Sequence, residues 1–168
     1  MSSKLGLEEA LDIAMDAELK AQAFYAQAAV QVQDPRGRDL LNRLAAFEQY
    51  HYQKLSELAH SLHQGEGFIG YEARTMADVQ PFRGAGEAAG VEVGDLGSEV
   101  EILTVAIDNE KVAHDRYRAL ADQTEDRSGQ AMFSRLAYEE EMHQRILEDE
   151  FYALSNRGAW GWSGMYGE

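Results

Sequence analysis

Apolar residues recur in steps of three and four along residues 7–32: Leu7, Leu11, Ala14, Ala21, Ala28 and Val32, with Glu18 and Tyr25 on the same face. That spacing predicts an amphipathic helix. A second stripe runs through Leu41, Leu44, Leu55, Leu58 and Leu62, with Glu48 and His51 in phase, and predicts a helix over 35–62. Asp34 before Pro35 sets its start, because Asp caps a helix and proline fits the first turn. Leu103, Ile107, Ala113 or His114, and Leu120 share a face with Glu110 and Tyr117, predicting a third helix over 99–122. Ser98 and Glu101 form a capping-box pattern at its start. The fourth, over 127–155, aligns Phe133, Leu136, Leu147, Phe151 and Leu154 with Glu140 and His143. The chain reads as all-α, a four-helix bundle built as a single domain over 1–168.

Two segments break this rhythm. Residues 63–98 hold Pro81 and eight of the 15 glycines. Structureless loops beyond ~12–15 residues are uncommon. A ~25-residue helix is ~37 Å long, so returning to its starting end needs at least ~11 extended residues. The segment is therefore expected to be a long crossover between two helical hairpins. The tail, 155–168, is rich in glycine and carries Trp160, Trp162, Met165 and Tyr166. It is expected to pack across the bundle or at a subunit contact.

The two hairpins repeat each other. Shifting residues 9–58 by 92 positions, without a gap, gives 17 identities in 50, including Gly37/Gly129 and the runs Arg43-Leu44-Ala45 and Arg135-Leu136-Ala137. The same shift carries Glu18, Tyr25, Glu48 and His51 onto Glu110, Tyr117, Glu140 and His143. Each half thus supplies one lone Glu and one Glu-x-x-His step.

Residues three apart on a helix share a face, so Glu48 with His51, and Glu140 with His143, can reach one ion. All six occupy positions where Leu or Ala would otherwise pack. A buried carboxylate costs several kcal/mol unless paired or bound to a cation. Four carboxylates balance two divalent ions, and a mainly oxygen donor set with one imidazole per ion suits iron or manganese better than zinc. The expected arrangement has Glu48 and Glu140 bridging, Glu18 and Glu110 terminal, and His51 and His143 on one ion each. Tyr25 and Tyr117, two turns beyond the lone glutamates, are candidates to hydrogen-bond a carboxylate or lend an electron. Glu139 and Glu141 are expected to point away from the ions, and His60 and His63 into solvent. His114 is expected on the helix surface.

Composition narrows the function classes. The formal charge of −15 over 168 residues argues against nucleic acid and against anionic membranes. No segment approaches the ~20 apolar residues of a membrane span. Lys4 is soon followed by Glu8, Glu9 and Asp12, unlike a secretion signal, so a cytoplasmic setting is expected. The 168 residues contain no cysteine, so they hold no disulfide and no four-cysteine iron centre.

Through Glu18-x6-Tyr25, Glu48-x-x-His51, Glu110-x6-Tyr117 and Glu140-x-x-His143, the chain resembles the ferritin-like superfamily, and within it the rubrerythrins. The resemblance implies a carboxylate-bridged centre of two iron ions that reacts with hydrogen peroxide or dioxygen; a homodimer is expected, since a dimer suits redox chemistry and a 24-subunit shell storage. Rubrerythrins usually carry a rubredoxin domain; its cysteines are missing here, so the resemblance implies an external electron-transfer protein. They also carry a further Glu one turn after the third-helix ligand, where this chain has Ala113, as in the more symmetric bacterioferritin pattern. A ferroxidase serving iron storage and a dimanganese catalase are the alternative expectations.

Overall fold

The computed structural model describes residues 6–82 and 94–164. Four helices dominate: α1 (Leu7–Gln31), α2 (Pro35–His63), α3 (Glu99–Gln123) and α4 (Arg127–Arg157). Their bounds fall within two residues of those the apolar stripes predict, and the described residues contain no strand. The expected caps form: Asp34 accepts from the Arg36 N–H, and Ser98 and Glu101 close a reciprocal capping box. Asp126 caps α4, accepting from the Gly129 N–H. The last helix stops at Gly158, whose φ of 70° and N–H bond to the Leu154 carbonyl make a left-handed C-cap suited to glycine.

α1 packs along α2, and α3 along α4, as two antiparallel hairpins, and the backbones of the two hairpins come closest where α1 faces α3. Tyr25 on α1 touches Glu110 on α3, while Tyr117 on α3 touches Glu18 on α1. Such reciprocal pairing requires α1 and α3 to run in opposite directions, hence α2 and α3 in the same direction. Consecutive helices that run in the same direction cannot be joined by a short turn, which is why the long connection exists.

That crossover follows α2 back. Ser61 donates to the Gly67 carbonyl, Tyr50 to that of Glu72, and Arg43 to those of Met76 and Val79. The Phe82 N–H then reaches the Asn42 carbonyl at 2.9 Å. A single 3-10 turn, Met76–Asp78, buries Met76 against the bundle. The expectation for 83–93 within the crossover, and for Met165 and Tyr166, lies outside the described residues.

The tail packs across the bundle. Trp160 and Trp162 are both buried, and their indole N–H groups donate to Glu99 on α3 and Asp39 on α2. Between them the Gly161 N–H donates to Glu150 on α4. Three helices are tied by three consecutive residues. Gly37 makes this possible: a Cβ there would stand 2.6 Å from the Trp160 ring. Its repeat mate Gly129 does the same for Phe68 of the crossover, also at 2.6 Å. The apolar interior falls into two clusters, one around Leu41, Leu44 and Trp160, the other around Leu55, Phe133 and Leu136. A polar layer fills the space between.

Candidate metal centre

All six residues singled out by the repeat lie in that layer. Glu18, Glu48, His51, Glu110, Glu140 and His143 are each at most 3% exposed. The Nδ1 atoms of both histidines face inward. His51 Nδ1 lies 2.8 Å from Glu140, 3.4 Å from Glu48 and 3.6 Å from Glu18. His143 Nδ1 lies 3.4 Å from Glu48, 3.7 Å from Glu140 and 3.8 Å from Glu110. The donors form two overlapping groups, Glu18-Glu48-His51-Glu140 and Glu48-Glu110-Glu140-His143, each with its ligand atoms within 4.8 Å of one another. Glu48 and Glu140 belong to both.

These groups fit two divalent cations. One or both oxygens of all four glutamates, and Nδ1 of both histidines, are buried without a well-directed hydrogen bond to protein. Leaving so many charged groups unsatisfied would be strongly destabilising, and a cation for each group removes the penalty. Charge balance agrees. Burial and the neighbouring Glu48 push the Glu18 carboxyl up to about 8. Burial, with Glu140 and Glu48, raises Glu110 well above the carboxylate range. For Glu140, burial and Glu18 oppose ionisation, but hydrogen bonding from Glu110 and the two imidazoles prevail and hold it down at about 2. Glu48 is lowered in the same way, against its burial, by Glu18, His143 and His51. Burial also opposes charge on His143, yet Glu140 and Glu48 hold its pKa up at about 9. His51 is raised as well, against burial, by the acidic groups around it. The upward shifts all move the ion-free cluster toward neutrality, and four carboxylates, two neutral imidazoles and two divalent ions also sum to zero charge.

Tyr25 and Tyr117 meet the carboxylates that belong to one donor group each, and each reaches across to the other hairpin. Tyr25 Oη donates to Glu110 at 2.5 Å, and Tyr117 Oη donates to Glu18. Burial, then the adjacent carboxylates, pushes both phenols well above 10, so both stay protonated donors. His60 and His63 are exposed, as expected, and His114 pairs with Asp115 on the α3 surface.

One expectation is overturned. Glu139 does not point away: it is buried and accepts from His51 Nε2 at 2.8 Å. It is also held by Tyr71 and the Arg74 N–H of the crossover. The missed signal was in the repeat, since the position equivalent to Glu139 is Phe47, a core residue. Tyr71 had no such signal, lying in the segment without a counterpart.

Between α1 and α3 a cavity of about 320 Å³ opens onto Glu18, Glu48, Glu110 and Glu140. Ala21 and its mate Ala113 keep it wide, while Lys20, Arg116 and Val112 stand along it. Among the described residues no helix is long and apolar enough to cross a membrane.

No curated protein matches the chain. Its fold is similar to that of a hypothetical protein from Pyrococcus furiosus, with a TM-score of 0.69 at 22% identity over 91% of this chain and 92% of that one. The rubrerythrin family profile matches residues 1–59 and 101–157. Those two stretches are the helical hairpins, without the crossover, and they contain all six inward-facing donors. By that match, over more than half its length, the chain belongs to the rubrerythrin family.

Proposed function

We propose that the protein is a non-haem di-iron oxidoreductase that reduces hydrogen peroxide, or activates dioxygen, with electrons from a separate protein. The observation that carries this reading is the pair of overlapping donor groups sharing Glu48 and Glu140 beneath an open cavity. Glu48 and Glu140 would bridge the ions, Glu18 and Glu110 bind at the ends, and His51 and His143 take one ion each. Iron held there would supply the two electrons that, with two protons, convert one peroxide to two waters.

The chain's part is positioning and access. Tyr25 and Tyr117 fix the terminal carboxylates, so the oxygens facing the ions stay put as charge changes. Two apolar clusters seal the layer above and below, leaving the α1–α3 cavity as the described approach. Small neutral molecules pass such an opening without desolvating a charge. Lys20 and Arg116 stand beside it, Lys20 paired with Asp16 at 2.9 Å.

The test is to load the protein with two ferrous ions per chain without oxygen, then mix it with peroxide or with dioxygen in a stopped-flow spectrometer. Oxidation of two ions per peroxide, faster than by dioxygen, is expected. Iron accumulating far beyond two per chain would instead indicate storage, and oxygen release from peroxide by manganese-loaded protein a catalase.

A further inference from the structure

Glu139 and Phe47 hold equivalent places in the two hairpins, each one residue before a carboxylate common to both donor groups. Their side chains break the symmetry. Phe47 packs edge-on against both imidazoles, with ring centroids 5.1 Å from His51 and 4.4 Å from His143. Glu139 serves His51 alone, with Oε2 at 2.8 Å from Nε2. On the other side, His143 Nε2 is buried with no hydrogen-bond partner among the described residues.

Glu139 is itself held firmly. Tyr71 donates to Oε2 at 2.5 Å, the Arg74 N–H to Oε1 at 3.1 Å, and Arg135 Nε approaches Oε1 to 3.5 Å. Tyr71 and Arg74 belong to the crossover, which runs beside α2 and has no equivalent in the other hairpin. The connection that the bundle topology requires therefore also delivers two hydrogen bonds to one half of the centre.

We infer that Glu139 is a positioning residue that makes the two ion positions unequal, the one at His51 holding a divalent cation more tightly than the one at His143. The inference rests on the dinuclear reading above. A carboxylate accepting from Nε2–H fixes the tautomer, leaves the Nδ1 lone pair facing the ion, stops the ring from turning and makes it a stronger donor. His143 Nε2 meets no such carboxylate among the described residues, and that ring is oriented by packing, with Phe47 at 4.4 Å. Partners of this kind change metal affinity by about 10–100-fold.

The test is titration of the metal-depleted full chain with Co2+, read by its visible absorption and by calorimetry. Two steps separated by about tenfold or more are expected. His51→Ala should abolish the tighter step and His143→Ala the weaker. Glu139→Ala should bring the tighter step down toward the weaker without moving the latter. Glu139→Gln, which keeps an acceptor but not the charge, should fall between. Tyr71→Phe should act in the same direction by less, and it leaves the bundle core intact should Glu139→Ala fail to fold. A purely structural Glu139 would lower the melting temperature while leaving the separation of the steps unchanged, and that result overturns the inference. Two equal steps in the unaltered protein overturn it too, while the dinuclear reading survives. No Co2+ uptake at all overturns both.

Discussion

The Tyr25 hydroxyl donates to Glu110 across 2.5 Å, although 85 residues separate them in the chain. Tyr117 makes the matching bond to Glu18, so each hairpin steadies the terminal carboxylate of the other. Tyr25→Phe removes the only donor that Glu110 has from α1 and leaves a buried oxygen unpaired. The metal-free protein should lose about 1–3 kcal/mol of stability by urea unfolding. Bound metal should stay at two per chain, since the carboxylate remains.

The two shared carboxylates should behave unlike the terminal ones. Glu48→Ala takes a donor from both groups, so it should lower the affinity of both ions. Glu18→Ala touches one group and should leave one ion bound. Metal analysis after exhaustive dialysis separates these outcomes; equal losses in the two variants would sink the bridging assignment.

Cation binding should release protons. At pH 7 the values of about 8 for Glu18 and about 9 for His143 mean that both hold a proton in the absence of an ion, and Glu110 and His51 are raised in the same direction. A ligand must give its proton up, so uptake of two divalent ions should release about two protons or more in weakly buffered solution. The same shifts set the pH dependence of the metal-free fold. A group whose folded pKa is raised stabilises below its unfolded value and loses that contribution as pH rises through the folded one. Stability of the metal-free protein should therefore fall from about pH 4.5, the ordinary value for Glu18, to about pH 9, the folded value of His143. Loading with metal should flatten that slope.

Filling the α1–α3 cavity should slow the oxidant without emptying the centre. Ala113→Leu adds bulk on the wall and removes no donor. Reaction of the ferrous protein with peroxide should slow by about tenfold or more, equivalent to at least ~1.4 kcal/mol of barrier. An unchanged rate with two ions bound would mean that the oxidant enters elsewhere.

Gly37→Ala should loosen the tail. The new methyl would lie 2.6 Å from the Trp160 ring, which is backed by the core and tied to Glu99. Overpacking of this kind costs about 1–3 kcal/mol. Trp fluorescence should shift to the red in step with the lost stability.

Much of this was written in one dimension. The apolar stripes, the caps at Asp34, Ser98 and Asp126, and the 92-residue repeat are local or periodic features. They fix the four helices and bring Glu18, Glu48, His51, Glu110, Glu140 and His143 to one face each, because a helix converts spacing into direction. Only the tertiary structure decided which hairpin each tyrosine would serve, since that depends on α1 and α3 running antiparallel. It also decided the fate of Glu139. One position off the inward stripe, an isolated α4 would turn this carboxylate toward water. A crossover with no helical period to read wraps over it, and Tyr71 and the Arg74 N–H replace the lost solvent. Periodicity can report what a residue's own helix does with it, but not what a distant, irregular segment will lay on top.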